Sequence, residues 1–125
     1  MKEQYEITDA ELEIMQVLWK NNKSNLTLIT QELSRNEEKN KNTIKTLIHR
    51  LIQKGAIESK KVNNKEVVYI PKINEKKFIK KESNSFLKKF FNGNTEKLLL
   101  NFVEDRKVTK DELQNLIDIL EQDEE

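Results

Sequence analysis

Apolar residues recur at helical spacing over most of this chain, and that spacing gives way once to a β-forming run. Leu12, Met15, Leu18 and Trp19, with Ile14 beside them, make the first stripe. Thr8 stands at an N-cap position, Glu11 three residues on completes a capping box, and Ile7 can staple onto Leu12. Trp19 is read as a core residue. Asn21-Asn22 end the helix, and Lys23-Ser24 are read as a short strand. A second helix is expected over about 26–34, capped by Asn25, with Leu26, Ile29 and Leu33 inward. After a polar linker over 35–39, Asn40 caps a third helix and Gly55 ends it. Ile44, Leu47, Ile48, Leu51 and Ile52 recur there at i, i+3, i+4, i+7 and i+8, which defines one buried face.

The β-forming residues Ile57, Val62, Val67, Val68, Tyr69 and Ile70 then flank Asn63-Asn64. Asparagine tolerates the positive φ of a tight turn, so a hairpin is expected, closed by Pro71. Helical spacing returns over 74–91 with Phe78, Ile79, Phe86, Leu87, Phe90 and Phe91, and Gly93 breaks it. Asn94 can cap a very apolar helix through Leu98, Leu99, Leu100, Phe102 and Val103. Thr109 and Glu112 repeat the capping box, Val108 can staple onto Leu113, and Leu113, Leu116, Ile117 and Leu120 form the last stripe. The acidic residues 121–125 are read as a tail without function. The expected fold is mainly α with a small β wing. A winged helix-turn-helix domain over 1–72 is followed by a three-helix dimerisation region over 73–125.

Charge sharpens this picture. The chain is nearly neutral at +1, yet residues 39–65 carry eight basic side chains and one acidic, while residues 104–125 carry three basic and nine acidic. The basic block coincides with the third helix and the hairpin. On the helix face opposite the apolar stripe stand Asn42, Lys45, Thr46, His49, Arg50 and Gln53, all hydrogen-bonding groups. Such a face suits a DNA major groove. Lys41, Lys60, Lys61 and Lys65 are the candidates for phosphate contacts, and Asn42, Thr43, Lys45, Thr46 and Arg50 for base edges. His49 belongs on the same DNA-facing side.

Other chemistries find little footing. There is no cysteine and a single histidine, so neither thiolate ligands nor a histidine pair is available for a metal. No catalytic residue or cofactor is assigned, and an enzyme is not expected. The polar N-terminus and the lack of a long apolar run point to a cytoplasmic protein. The large apolar residues after position 73 exceed what one small protomer buries, so a homodimer is expected. Phe86, Phe90, Leu98, Leu99, Phe102, Leu113, Leu116, Ile117 and Leu120 are its candidate contacts. Lys76-Lys77, Lys80-Lys81 and Lys88-Lys89 alternate with phenylalanines and could face a membrane surface. Burial in a dimer explains the same phenylalanines, and direct membrane binding is not expected.

Three groups of residues carry a family resemblance. They are Tyr5-Glu6-Ile7-Thr8 with Ala10-Glu11 and Trp19; Thr43-Ile44-Lys45-Thr46-Leu47-Ile48 with Arg50-Leu51 and Lys54-Gly55; and Leu98-Leu99-Leu100-Asn101-Phe102-Val103-Glu104. Together they resemble the penicillinase repressor family of the BlaI/MecI type over essentially the full length. The resemblance implies a homodimeric transcriptional repressor of β-lactam-resistance-type genes. It also implies an operator of dyad symmetry with half-sites like TACA and TGTA. It further implies relief of repression by a membrane sensor metalloprotease, with the cut mapping onto the bond between Asn101 and Phe102. This chain has Asn40-Lys41-Asn42 where the family has Ser-Pro-Lys, lysine at 45 for a frequent arginine, and histidine at 49 for threonine. Lysine lacks the fork with which arginine grips guanine. The cysteine cluster of copper-responsive relatives is absent. An alternative keeps the winged helix but has it repress other genes, controlled by a ligand or other signal without cleavage.

Overall fold

The computed structural model describes residues 6–34 and 40–123. Tyr5 of the family motifs, the polar linker 35–39, and Glu124 and Glu125 of the acidic tail lie outside the described residues. The elements run α1 (Asp9–Asn21), β1 (Ser24–Asn25), α2 (Leu26–Leu33), α3 (Lys41–Lys54), β2 (Ile57–Lys61), β3 (Val67–Pro71), α4 (Glu75–Phe91), α5 (Thr95–Glu104) and α6 (Lys110–Asp123). They fall into two compact units, Met1–Phe78 and Ile79–Glu125.

In the first unit, α1, α2 and α3 enclose a core of Ile14, Met15, Leu18, Ile29, Ile44, Leu47, Ile48 and Leu51, closed by Ala56 and Ile57 from the hairpin. Each helix starts where local chemistry says it should. Thr8 and Glu11 form the capping box, with the Thr8 N–H donating to Glu11 Oε1 at 3.0 Å and the Glu11 N–H to Thr8 Oγ1 at 3.1 Å. Asn25 and Asn40 cap α2 and α3 by accepting from the N–H groups of Leu28 and Thr43, each at 2.9 Å. Gly55 ends α3 in the left-handed region, φ 80°, a conformation that costs a side-chain-bearing residue about 1 kcal/mol or more.

The sheet has the order β1-β3-β2, antiparallel throughout, with Ser24 opposite Tyr69 and Ser59 opposite Tyr69 on the other side. The short strand is Ser24–Asn25 rather than Lys23-Ser24, a shift of one residue. Its position is set by pairing with Val68 and Tyr69, and Lys23 stays exposed. The first unit also runs on past residue 72. The Trp19 Nε1–H donates to the Ile73 carbonyl at 2.9 Å, and the Trp19 and Phe78 rings lie 5.6 Å apart, tilted by 46°. The half-buried tryptophan thus holds the first turn of α4 on the core.

The second unit is built differently. Within α4 and α5 no residue is buried, and the three helices α4, α5 and α6 form no substantial packing on one another. Gly93 (φ 81°) makes the turn after α4, its N–H donating to the Leu87 carbonyl at 3.1 Å. The second capping box is in place, Thr109 N–H to Glu112 Oε1 at 2.8 Å and Glu112 N–H to Thr109 Oγ1 at 3.1 Å.

Candidate nucleic-acid interface

The geometry of α3 follows from its two faces. Ile44, Leu47, Ile48 and Leu51 are buried, while Lys41, Asn42, Thr43, Lys45, Thr46, His49 and Arg50 are exposed. At 3.6 residues per turn, Asn42, Lys45, Thr46 and His49 line the middle of the outward face, with Lys41 on one flank and Thr43 and Arg50 on the other. The Thr46 hydroxyl donates to the Asn42 carbonyl at 3.1 Å, so it offers a ligand its lone pairs rather than its proton. No acidic residue occupies the first turn of α3, where one would complement the helix dipole; Lys41 stands there instead, with Lys45 just beyond it. That arrangement weakens the isolated helix and strengthens its attraction for an anion.

The hairpin presents a second basic surface. Lys60 and Lys61 sit opposite Val68 and Val67 on the edge strand, and Lys65 lies in the turn, all three exposed. Successive strand residues point to opposite faces, so Lys60 and Lys61 diverge. Asn63 organises the turn: its Oδ1 accepts from the N–H groups of Lys65 at 2.8 Å and Glu66 at 3.0 Å. The Asn25 amide donates to Glu66 Oε2 at 3.0 Å, tying the base of the wing to the start of α2. The ten proposed DNA contacts therefore gather on two elements of one unit, α3 and the wing.

Three supports of this surface escape a reading of the sequence alone. Glu66 is the first, since nothing local marks its partner 41 residues away. Glu11 and Lys54 are the others. Lys54, the last residue of α3, donates through Nζ to Glu11 Oε1 at 2.6 Å and to the Glu6 carbonyl. Glu11 is 1% exposed. Burial alone would raise its pKa, but the hydrogen bond and charge of Lys54 and the two bonds from Thr8 outweigh that and hold it below the ordinary value. The capping-box pattern flags Glu11, but only half of its role.

Other surfaces of the first unit converge less. A polar groove of about 350 Å³ between α1 and α2 is lined by Glu13, Gln16, Val17, Lys20, Glu32 and Leu33, with Lys20 and Glu32 paired at 3.5 Å. Among the described residues no group of three His, Asp or Glu side chains could hold a metal ion, and no helix is long and apolar enough to cross a membrane.

The nine proposed dimer contacts lie in the second unit. Phe86, Phe90, Leu99, Phe102, Leu116, Ile117 and Leu120 are exposed, Phe90 and Leu120 by 60% and 63%, and Leu98 and Leu113 are half-buried. Phe86 contacts the rings of Phe90 and Phe91 at 5.0 and 6.0 Å. Asn101 and Phe102 sit inside α5, with the Phe102 carbonyl accepting from the Lys107 N–H at 2.8 Å.

Comparison with known proteins agrees with this geometry. A family model described as penicillinase repressor matches residues 7–122. A penicillinase repressor of Bacillus licheniformis is 39% identical over 122 residues, covering 98% of this chain and 94% of its own. The methicillin resistance regulatory protein MecI of Staphylococcus aureus (strain N315) is 36% identical over 116 residues, covering 93% and 94%. The solution structure of monomeric Bacillus licheniformis BlaI in complex with the blaP half-operator matches with TM-score 0.52 and 41% identity, over 60% of this chain and 90% of that one.

Proposed function

This chain belongs to the penicillinase repressor family, and we propose that it is a homodimeric, sequence-specific DNA-binding repressor of β-lactam-resistance-type genes rather than an enzyme. It would act in the cytoplasm on an operator of dyad symmetry. In each protomer α3 enters the major groove, with Asn42, Thr43, Lys45, Thr46 and Arg50 at base edges. Lys41 and the wing lysines Lys60, Lys61 and Lys65 supply charge along the backbone, and His49 faces the DNA on the same side of α3. The observation that carries this reading is that one compact unit exposes both the polar residues of α3 and the basic wing. A relative of 41% identity, matched over 60% of this chain, was solved on a half-operator.

The second unit supports dimerisation. Large apolar residues that neither a core nor a neighbouring helix covers are stable in water only when a partner buries them. Reading a half-site gives a few base contacts of roughly 1–3 kcal/mol each. Joining two heads raises the effective concentration of the second and gains roughly a hundredfold in avidity. A cut between Asn101 and Phe102 within α5 would separate the heads and end repression. A protease needs an extended strand, so the cut requires α5 to open locally. A membrane sensor metalloprotease is the agent proposed.

Two experiments test the reading. Footprinting on the chain's own promoter should show a protected palindrome, and random protection would refute sequence-specific binding. Exposing cells that carry the sensor protease to a β-lactam should yield a fragment ending at Asn101 by mass spectrometry. An intact chain under full derepression would favour control by another signal.

A further inference from the structure

Resting on the repressor reading above, we propose that a lysine stripe on the outer side of α4 grips DNA phosphates beyond the base pairs that α3 reads. At about 100° per residue, Lys77, Lys81 and Lys88 fall within about 40° of one another on that helix. Ile79, Phe86 and Phe90 fall on the opposite side, Phe86 half a turn from Lys77 and Phe90 half a turn from Lys81. All three lysines are exposed, and among the described residues no ion pair engages them. The acidic residues of α4, Glu75 and Glu82, lie nearer the apolar row, so nothing along the stripe offsets its charge.

Covering the apolar row with a second copy leaves this stripe in water. A helix lying on a membrane would instead sink its apolar row into lipid. The two uses of α4 compete, and the dimer reading leaves the lysines to a dissolved polyanion. Duplex DNA is the polyanion that this chain is read as holding. The Asn74 side chain starts α4 by accepting from the Lys77 N–H at 2.9 Å, and Trp19 holds that first turn on the core through Ile73 and Phe78. The stripe therefore begins on the compact unit that also carries α3 and the wing. Once those hold an operator, phosphates stand at high effective concentration around the start of α4. From Lys77 to Lys88 the stripe spans roughly 16 Å, the axial length of about five phosphates along one strand. Lysine suits this task, since a point charge neutralises phosphate without reading sequence.

The full-length K77Q/K81Q/K88Q variant tests this on two duplexes, the palindrome protected in the chain's own promoter and an unrelated sequence of equal length. Binding to both should weaken roughly tenfold or more, and the slope of log affinity against log salt should fall by about 0.9 for each phosphate given up. Removing three lysines off the stripe, in K76Q/K80Q/K89Q, should cost less. An equal loss would overturn the proposal, because net charge alone would then suffice. Sedimentation velocity should show both variants as dimers like the wild type. A stripe variant that falls to monomers overturns the proposal by assigning the lysines to pairing. So does one that binds DNA as tightly as the wild type with an unchanged slope; if it also stops pelleting with phosphatidylserine vesicles, the stripe belongs to a membrane. A wild type that grips both duplexes equally removes the sequence-specific reading, while the change in salt slope still decides the stripe.

Discussion

The Lys54 ammonium at the end of α3 lies 2.6 Å from the Glu11 carboxylate at the start of α1, 43 residues away in sequence. The same Glu11 oxygen accepts the Thr8 N–H, so one carboxylate caps α1 and anchors the C-terminal end of the helix proposed to read DNA. Its lowered pKa has a definite consequence for stability. A carboxyl whose folded-state value lies below its unfolded one contributes fully above the ordinary value of 4.5, and that contribution is lost as pH falls through the lowered value. Glu11→Gln should cost about 1–3 kcal/mol at neutral pH and flatten the stability profile below pH 4.5. Urea unfolding at pH 7 and at pH 3 measures both, and identical profiles for variant and wild type would contradict the assignment.

The polar face of α3 and the wing should separate cleanly in binding measurements. Asn42→Ala should cost on the order of 1–3 kcal/mol at one base pair of the operator and leave the salt dependence unchanged. Replacing Lys60, Lys61 and Lys65 with alanine should weaken binding to all sequences alike. The slope of log affinity against log salt should fall by about 0.9 for each phosphate that the variant no longer neutralises. Fluorescence anisotropy across a salt series distinguishes the two patterns.

Within the head, Leu51 is fully buried between the helices, and truncating it leaves a void the packed core cannot close. Leu51→Ala should destabilise the first unit by about 2–5 kcal/mol. Calorimetry should report the loss, and a change under about 1 kcal/mol would mean a looser core than this packing implies.

Leu120 offers the opposite case. It is 63% exposed in the protomer, and such a surface substitution normally changes stability by less than about 0.5 kcal/mol. If a second copy covers it, Leu120→Asp buries a charge at the interface and the dimer falls apart. Sedimentation that shows an unaltered dimer would place Leu120 outside the contact.

Much of this is legible in the chain because its signals are local. Thr8 with Glu11, Thr109 with Glu112, Asn25 and Asn40 as caps, and Gly55 as a stop all act within one helical turn, and each is where the sequence puts it. The apolar stripe of α3 likewise fixes which residues face outward. What stays hidden depends on distant partners. The short strand is shifted by one residue because Val68 and Tyr69 decide its register. Trp19 reads as core from its spacing, but its bond to the Ile73 carbonyl is set by a segment 54 residues on. The second unit illustrates a different limit: its stripes are plain in the sequence, whereas their proposed partner is another molecule.

The claim that two heads act through a shared tail is tested most directly by pairing mass with affinity. Sedimentation velocity at micromolar concentration should give twice the protomer mass for the full chain and the single mass for a chain ending at Asn101. Operator affinity should fall roughly a hundredfold between them. A full-length monomer that holds the palindrome as tightly as any dimer would contradict it.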